Sequence, residues 1–276
     1  MHSGLDGRDI VAETVTLLKD AGIAACVYYS VVYNNWAYLE HPEWRMVSAS
    51  ANSEFGAQFS GGRYGLVCPN NPHYREFCQT QLEELAGGYD VDGVFIDMTF
   101  WPRICVCEHC RKRLRHEDGL KVPSVIDWHA PAWCAFQAAR ERWMLEFAGS
   151  LGAWVKSARH GTTVHHNFAT AAQNWTLGLS FESTRANDFL GADFYGDPME
   201  QLLVSKLMNN LSENRPIEFM TSRCLTLTDH ETNKTPAEIR MQALATTLFG
   251  GAMLFIDAVH PDGTVNPATY ETIGTV

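Results

Sequence analysis

Positive charge is scarce in this chain: 21 Lys and Arg face 32 Asp and Glu, a formal net charge of −11. That balance argues against a nucleic-acid partner, because phosphate binding needs a basic face. No apolar run approaches the roughly 18 residues of a membrane span. The opening MHSGLDGRDI lacks the charged-then-apolar layout of a signal peptide. Internal repeats, low-complexity tracts and any composition shift that would mark a second domain are missing as well. So is a compact H-x-H or H-x-x-x-H pair, which disfavours a hydrolase metal site built from His165 or His166 with Asp97 and Asp193. Eight cysteines in 276 residues do not make a disulfide scaffold. Their clustering suits metal-bound thiolates in a reducing, cytoplasmic compartment.

What is present describes a globular chain, 46% hydrophobic and 19% charged, long enough for one large α/β domain. Eight Trp and nine Tyr in an acidic protein fit carbohydrate handling, since aromatic rings stack on sugar C–H faces.

Apolar residues at Ile10, Val11, Val15, Leu17 and Leu18 predict a helix over 8–21, stopped by Gly22. Residues 23–33 read as a β-rich strand, and 34–64 as a long loop holding Trp36, His41, Trp44 and Arg63. Asn71-Pro72 opens a helix that Gly87-Gly88 ends. Gly93 to Ile96 then forms a strand covered on both faces, delivering Asp97 at its end. After a polar connector over 111–128, a long helix spans about 131–158. Further strands are expected at 162–168, 189–195, 216–222 and 252–259. Helices open between them at Asp197-Pro198 and at the Thr235–Glu238 capping box. Strand and helix alternate throughout, the pattern of parallel βαβ units. Six strands are two short of a closed (β/α)8 TIM-type barrel. The expectation is one partial catalytic barrel domain over 1–276, a fragment covering strands 3 to 8. An open six-stranded sheet is the alternative.

Cys105, Cys107 and Cys110 supply three thiolates within six residues, able to close on one tetrahedral metal with a fourth ligand from elsewhere. Cys68, just before a capped helix, is the choice for that ligand, and His109 is a weaker one. A four-cysteine site is closed, so its Zn2+ would be structural rather than catalytic. Cys26, Cys78, Cys134 and Cys224 lie in apolar segments and read as core residues.

CPNNPHYRE at 68–76, followed by IDMTFWPRICVCEHC at 96–110, resembles family 42 β-galactosidases. That resemblance implies a (β/α)8 barrel with a structural zinc held by one upstream cysteine and a C-x-C-x-x-C. It also implies an acid/base Glu after strand 4, where this chain has Asp97-Met98-Thr99 and no Glu. A second resemblance is carried by GIAACVYYS at 22–30, YDVDGVFIDMTF at 89–100 and GGAMLFIDAVHPDGTV at 250–265. These look like strands 3, 4 and 8 of family 29 and 151 α-L-fucosidases. The first of those families places a nucleophilic Asp at the end of strand 4, in a W-x-D-G-like run. Asp97 occupies that place, with Met98 where Gly is usual. The whole chain also resembles a hypothetical glycoside hydrolase domain class. Relatives in families 29 and 42 are often oligomers, which implies a homo-oligomer here.

Glycoside hydrolysis needs two carboxyl groups flanking the scissile bond. Asp97 is the expected nucleophile. Glu182, in LSFESTR, is the expected acid/base, lying about where family 29 enzymes carry theirs. Glu218 sits early in a strand, at the wrong end for chemistry. Asp193 and Asp257 are expected near strand ends as substrate-binding groups. Of His165 and His166 only one can enter the mouth of the barrel, because neighbouring strand residues face opposite sides. Tyr29, Trp36, Trp101, Tyr195 and Arg223 complete a candidate sugar pocket. The expected activity is that of a retaining exo-glycosidase releasing a terminal sugar, α-L-fucose first. A β-galactosidase-like enzyme and a sugar-binding barrel without catalysis are the alternatives.

Overall fold

The computed structural model describes residues 3–48, 64–123, 127–168, 177–225, 232–260 and 262–276. The chain divides into two compact units: Met1–Phe168 with Asn174–Asn187, and Ala169–Gln173 with Asp188–Val276.

In the first unit, α1 (Ile10–Asp20) is capped by Asp9, whose side chain accepts from the Ala12 N–H. The strand β1 (Cys26–Ser30) follows, shorter than the 23–33 run of β-formers suggests. It stops where Val32 takes a left-handed φ of +65°, a conformation a β-branched residue rarely adopts. The expected loop at 34–64 folds in part. Asn34 caps α2 (Asn35–Glu40) and a 3-10 turn covers Pro42–Trp44, while 49–63, including Arg63, lie outside the described residues. The helix α3 (Pro72–Gly88) starts as Asn71-Pro72 predicts, with Asn71 Oδ1 accepting from the His73 and Tyr74 N–H groups. The strand β2 (Gly93–Asp97) is followed by α4 (Glu108–Asp118), which stands where a polar connector was expected and ends on left-handed Gly119. The helix α5 (Pro131–Ala158) packs on α3 and buries Trp133, Phe136, Trp143 and Phe147, as its apolar stripe requires. The strand β3 (Thr163–His166) closes a parallel sheet of order β1-β2-β3.

In the second unit, β4 (Gly191–Asp193), β5 (Ile217–Ser222) and β6 (Gly251–Ile256) form a parallel sheet in sequence order. The connecting helices are α6 (Pro198–Leu211) and α7 (Pro236–Leu248). Asp197 Oδ1 accepts from the N–H groups of Met199 and Glu200. At Thr235 the capping box is complete, with Glu238 answering through its own carboxylate. A last helix, α8 (Pro267–Gly274), was not foreseen; Asn266 caps it and Pro267 occupies its first position.

Six strands are present among the described residues, as the sequence suggests, parallel within each sheet. Among the described residues they form two three-stranded sheets, neither a closed ring nor one open sheet of six. Two cysteines read as core, Cys26 and Cys134, are exposed, because their positions face away from the apolar stripe of their elements. No helix among the described residues is long and apolar enough to cross a membrane.

Candidate active site and thiolate centre

The parallel register sets Tyr28 beside Phe95 and His165, and Ser30 beside Asp97. Strand alternation therefore puts Tyr28, Phe95, Asp97 and His165 on one face of the sheet, and Tyr29, Ile96 and His166 on the other. Asp97 is buried at the C-terminal end of β2. Its Oδ2 accepts from Tyr28 Oη at 2.6 Å; its Oδ1 accepts from Asn167 Nδ2 and from the Met98 N–H, both at 2.9 Å. Met98 has a φ of +65°, so the residue after the carboxylate is held in a region that favours glycine. Strain of about 1–3 kcal/mol at a strand end is a mark of functional positions.

Tyr28 and Asn167 were not among the predicted site residues. No local signal picks them out: only the register, which sets Ser30 beside Asp97, puts Tyr28, two positions earlier, on the same face. Partial burial, and after it the bond to the Asp97 carboxylate, raises the Tyr28 phenol well above its ordinary value and keeps it a donor.

Tyr29, predicted for the pocket, lies on the opposite face and donates to Gln81 Oε1 on α3 at 2.8 Å. Trp36 stacks on Phe77 of α3 at 5.3 Å and meets the edge of His41. Trp101 is buried; its indole donates to the Arg140 carbonyl at 2.8 Å, and Arg140 lies over its ring. A Cβ at Gly178, itself left-handed, would come within 2.5 Å of that indole, so the 177–178 backbone is fitted to it. Tyr29 and Trp101 thus have packing roles in the α-helical layer, whereas Trp36 stacks on it with 54% of its surface exposed. Of the two histidines, His165 shares the face of Asp97 and meets Phe95 edge-on at 5.0 Å. His166 pairs through Nδ1 with Thr99 Oγ1 at 3.1 Å. Glu182 lies in a 3-10 turn, Phe181–Ala186, half-exposed and paired with Arg185 at 2.5 Å.

In the second unit, Asp193 ends β4 and Tyr195 follows two residues later, both partly buried. Arg223 and Asp257, at the ends of β5 and β6, form a buried ion pair, and Asn233 also accepts from the Arg223 guanidinium. Burial would raise the Asp257 carboxyl, but Arg223 and the Ala258 N–H hold it below its usual range. Because the folded value is the lower one, the stabilisation is complete above the ordinary carboxylate range and is lost as pH falls through the folded value. Asp257→Asn is expected to cost roughly 3 kcal/mol at neutral pH, since it leaves a buried guanidinium short of its counter-charge. In urea titrations the gap from wild type narrows on going from pH 6 to pH 3. A gap independent of pH would rule out the ion pair as its source. Glu218 is the second residue of β5, at the end of the strand away from these groups.

The four predicted metal ligands do come together. Cys68, Cys105, Cys107 and Cys110 are buried, with all four sulfurs within 4.8 Å of one another. A short antiparallel zipper assembles them: Arg45 bridges to Val67, Ser48 to Cys105, and the Cys68 N–H donates to the Trp44 carbonyl at 2.8 Å. The Sγ separations from Cys68 to Cys107 and to Cys110 are both 3.6 Å. A tetrahedral Zn2+ with sulfurs at about 2.3 Å needs edges of about 3.8 Å, so the set fits such an ion. Cys107 is held far below the ordinary thiol value by bonds from the other three, while burial drives Cys68 and Cys110 up. A buried cluster of this kind carries several thiolates only beside a cation. His109 is engaged by Asn71 at 3.2 Å and stands outside the cluster. No second group of metal-ligand side chains is found among the described residues.

The fold of this α/β chain is one shared with solved glycosidase structures. A family model described as "Hypothetical glycosyl hydrolase 6" matches residues 1–98, about a third of the chain. The chain is similar in structure to α-L-fucosidase isoenzyme 2 from Paenibacillus thiaminolyticus, with a TM-score of 0.76 and 22% identity over 96% of this chain and 38% of that one. It also resembles a β-galactosidase from Bacillus circulans sp. alkalophilus, with a TM-score of 0.77 and 14% identity over 95% of this chain and 47% of that one. A third likeness is to Gan42B, a GH42 β-galactosidase from G. stearothermophilus, with a TM-score of 0.75 and 15% identity over 96% and 48%. The chain spans less than half the length of each of these proteins. No curated protein sequence matches it.

Proposed function

We propose that this protein is a retaining exo-glycosidase releasing a terminal sugar, α-L-fucose first, with Asp97 as its nucleophile. The observation that carries the reading is the Asp97 carboxylate itself, buried at a strand's C-terminal end with three donors on its two oxygens. Such a set of bonds fixes the direction from which a carboxylate oxygen can attack.

In the first step an Asp97 oxygen bonds the anomeric carbon as the glycosidic C–O bond breaks, and the Glu182 carboxyl gives its proton to the leaving oxygen. Water then attacks the same carbon, its proton goes to Glu182, and the bond to Asp97 breaks. Retention requires the two carboxyls to work about 5 Å apart across the substrate. Glu182 is paired with Arg185 in the free protein, so the arriving sugar displaces that partner. His165, on the same face of the sheet as Asp97, is the group we assign to a sugar hydroxyl. The thiolate centre is assigned a structural Zn2+, since four sulfurs fill a tetrahedral shell and leave no position for water.

Tyr28→Phe removes one donor to a charged oxygen, a bond worth about 1.5–3 kcal/mol. The expected result is a 10- to 100-fold fall in kcat/KM with folding and metal content unchanged. Wild-type activity in Tyr28→Phe would remove Tyr28 from the mechanism.

The test of the reading is a panel of nitrophenyl glycosides offered to the full-length protein, including α-L-fucoside and β-galactoside. Fucose release supports it. Galactose release moves the assignment to a β-galactosidase-like enzyme, a reading the four-cysteine centre favours. No release from any sugar leaves a carbohydrate-binding protein without catalysis.

A further inference from the structure

The thiolate centre has a second layer that no metal-ligand motif announces. Asn70, in the turn between Cys68 and α3, is buried, and its Nδ2 donates to Cys110 Sγ at 3.4 Å. Its Oδ1 accepts from Arg113 Nη1 at 2.9 Å. A guanidinium can only donate, so the bond from Arg113 fixes the amide oxygen on its side and the amide N–H on the sulfur's side.

Arg113 is itself held from several directions. It stands on α4, three residues after Cys110, and bonds Glu117 through Nε at 2.6 Å. It pairs with Glu146 of α5, which also takes Arg75 of α3 at 2.8 Å, and its guanidinium lies over the Trp143 ring. A line of defined bonds therefore runs from the Cys110 sulfur through Asn70 and Arg113 to the helices that form the core of the first unit.

We propose that Asn70 and Arg113 are an outer shell of the thiolate centre: Asn70 disperses the charge of the Cys110 sulfur through its N–H, Arg113 orients that amide, and together they set how tightly the centre keeps its metal. The proposal rests on the four cysteines holding a divalent cation. Four thiolates around one such ion carry a net charge of −2, and each N–H aimed at a sulfur stabilises that excess in a buried site. Partners of this kind typically change metal affinity 10- to 100-fold when removed.

The decisive variant is Asn70→Asp. Aspartate keeps the shape of the side chain and the oxygen that Arg113 bonds, but turns a donor facing the sulfur into an acceptor. A role limited to packing would leave Asn70→Asp like wild type. Zn2+ release to a chromophoric chelator is expected to be 10- to 100-fold faster in Asn70→Asp, and the thiolate-to-metal charge-transfer band of the Co2+-loaded protein is expected to shift. Arg113→Gln loosens the amide without reversing it and should speed release by a smaller factor, about 3- to 10-fold. This variant still reads the effect if Asn70→Asp fails to fold. Release rates and Co2+ spectra within twofold of wild type in both variants would overturn the outer shell alone. Wild-type protein that retains no divalent metal would overturn the centre and the outer shell with it.

Discussion

Asp97→Ala is expected to lower glycoside release by roughly 10^4-fold, because it removes the atom that bonds the sugar and not merely a contact that steadies it. The substitution should leave the fold intact. Asp97 lies at a strand end, and of the three donors it releases, Tyr28 is largely exposed and the Met98 N–H stands at the head of a loop. Only the buried Asn167 amide is left short of an acceptor, at a cost of about 1–3 kcal/mol. Added azide should restore part of the activity of Asp97→Ala and yield a glycosyl azide of inverted configuration, since a small anion can occupy the vacated space and attack from the same side. Glu182→Gln makes the complementary case: substrates with good leaving groups, which need no proton, should be spared far more than those with poor ones. Activity indifferent to Asp97 would end the nucleophile assignment. Loss of activity without azide rescue, in a folded and metal-loaded protein, would reduce Asp97 to a positioning or binding role.

The second large effect concerns the four cysteines. Cys107→Ser, or removal of the ion with a strong chelator, should destabilise the first unit by roughly 4 kcal/mol or more, because metal binding at a closed site is part of the folding free energy. For a unit of this size that is about 10 °C or more in Tm. The reason lies in what the centre ties together. Cys68 precedes α3, Cys105 and Cys107 lie between β2 and α4, and Cys110 is inside α4. Without a cation, four buried sulfurs must either stay protonated with poor hydrogen bonds or carry charge that burial opposes. Calorimetry on metal-loaded and chelated protein measures the difference, with metal content read in parallel. A Tm that moves by less than about 2 °C would mean that packing alone holds these segments.

Much of this could be read along the chain, and the reason is that the signals are local. Asn71-Pro72, Asp197-Pro198 and Thr235–Glu238 each start a helix within three residues, so their caps are found where the sequence puts them. Apolar periodicity sets α5 over its full 28 residues. The spacing of Cys105, Cys107 and Cys110 already implies a shared ion, and Cys68 completes the set because the turn before α3 returns to it. The pairing of strands was beyond the sequence. Nothing local says that Ser30 stands beside Asp97, and that register decides that Tyr28 rather than Tyr29 reaches the carboxylate. An indole reads the same whether it lines a pocket or a core, so Trp101 could be assigned only once Arg140 was seen over it. Asn70 is the extreme case. One buried amide in a turn has no pattern of its own, and only the fold brings a thiolate to one side of it and a fixed guanidinium to the other.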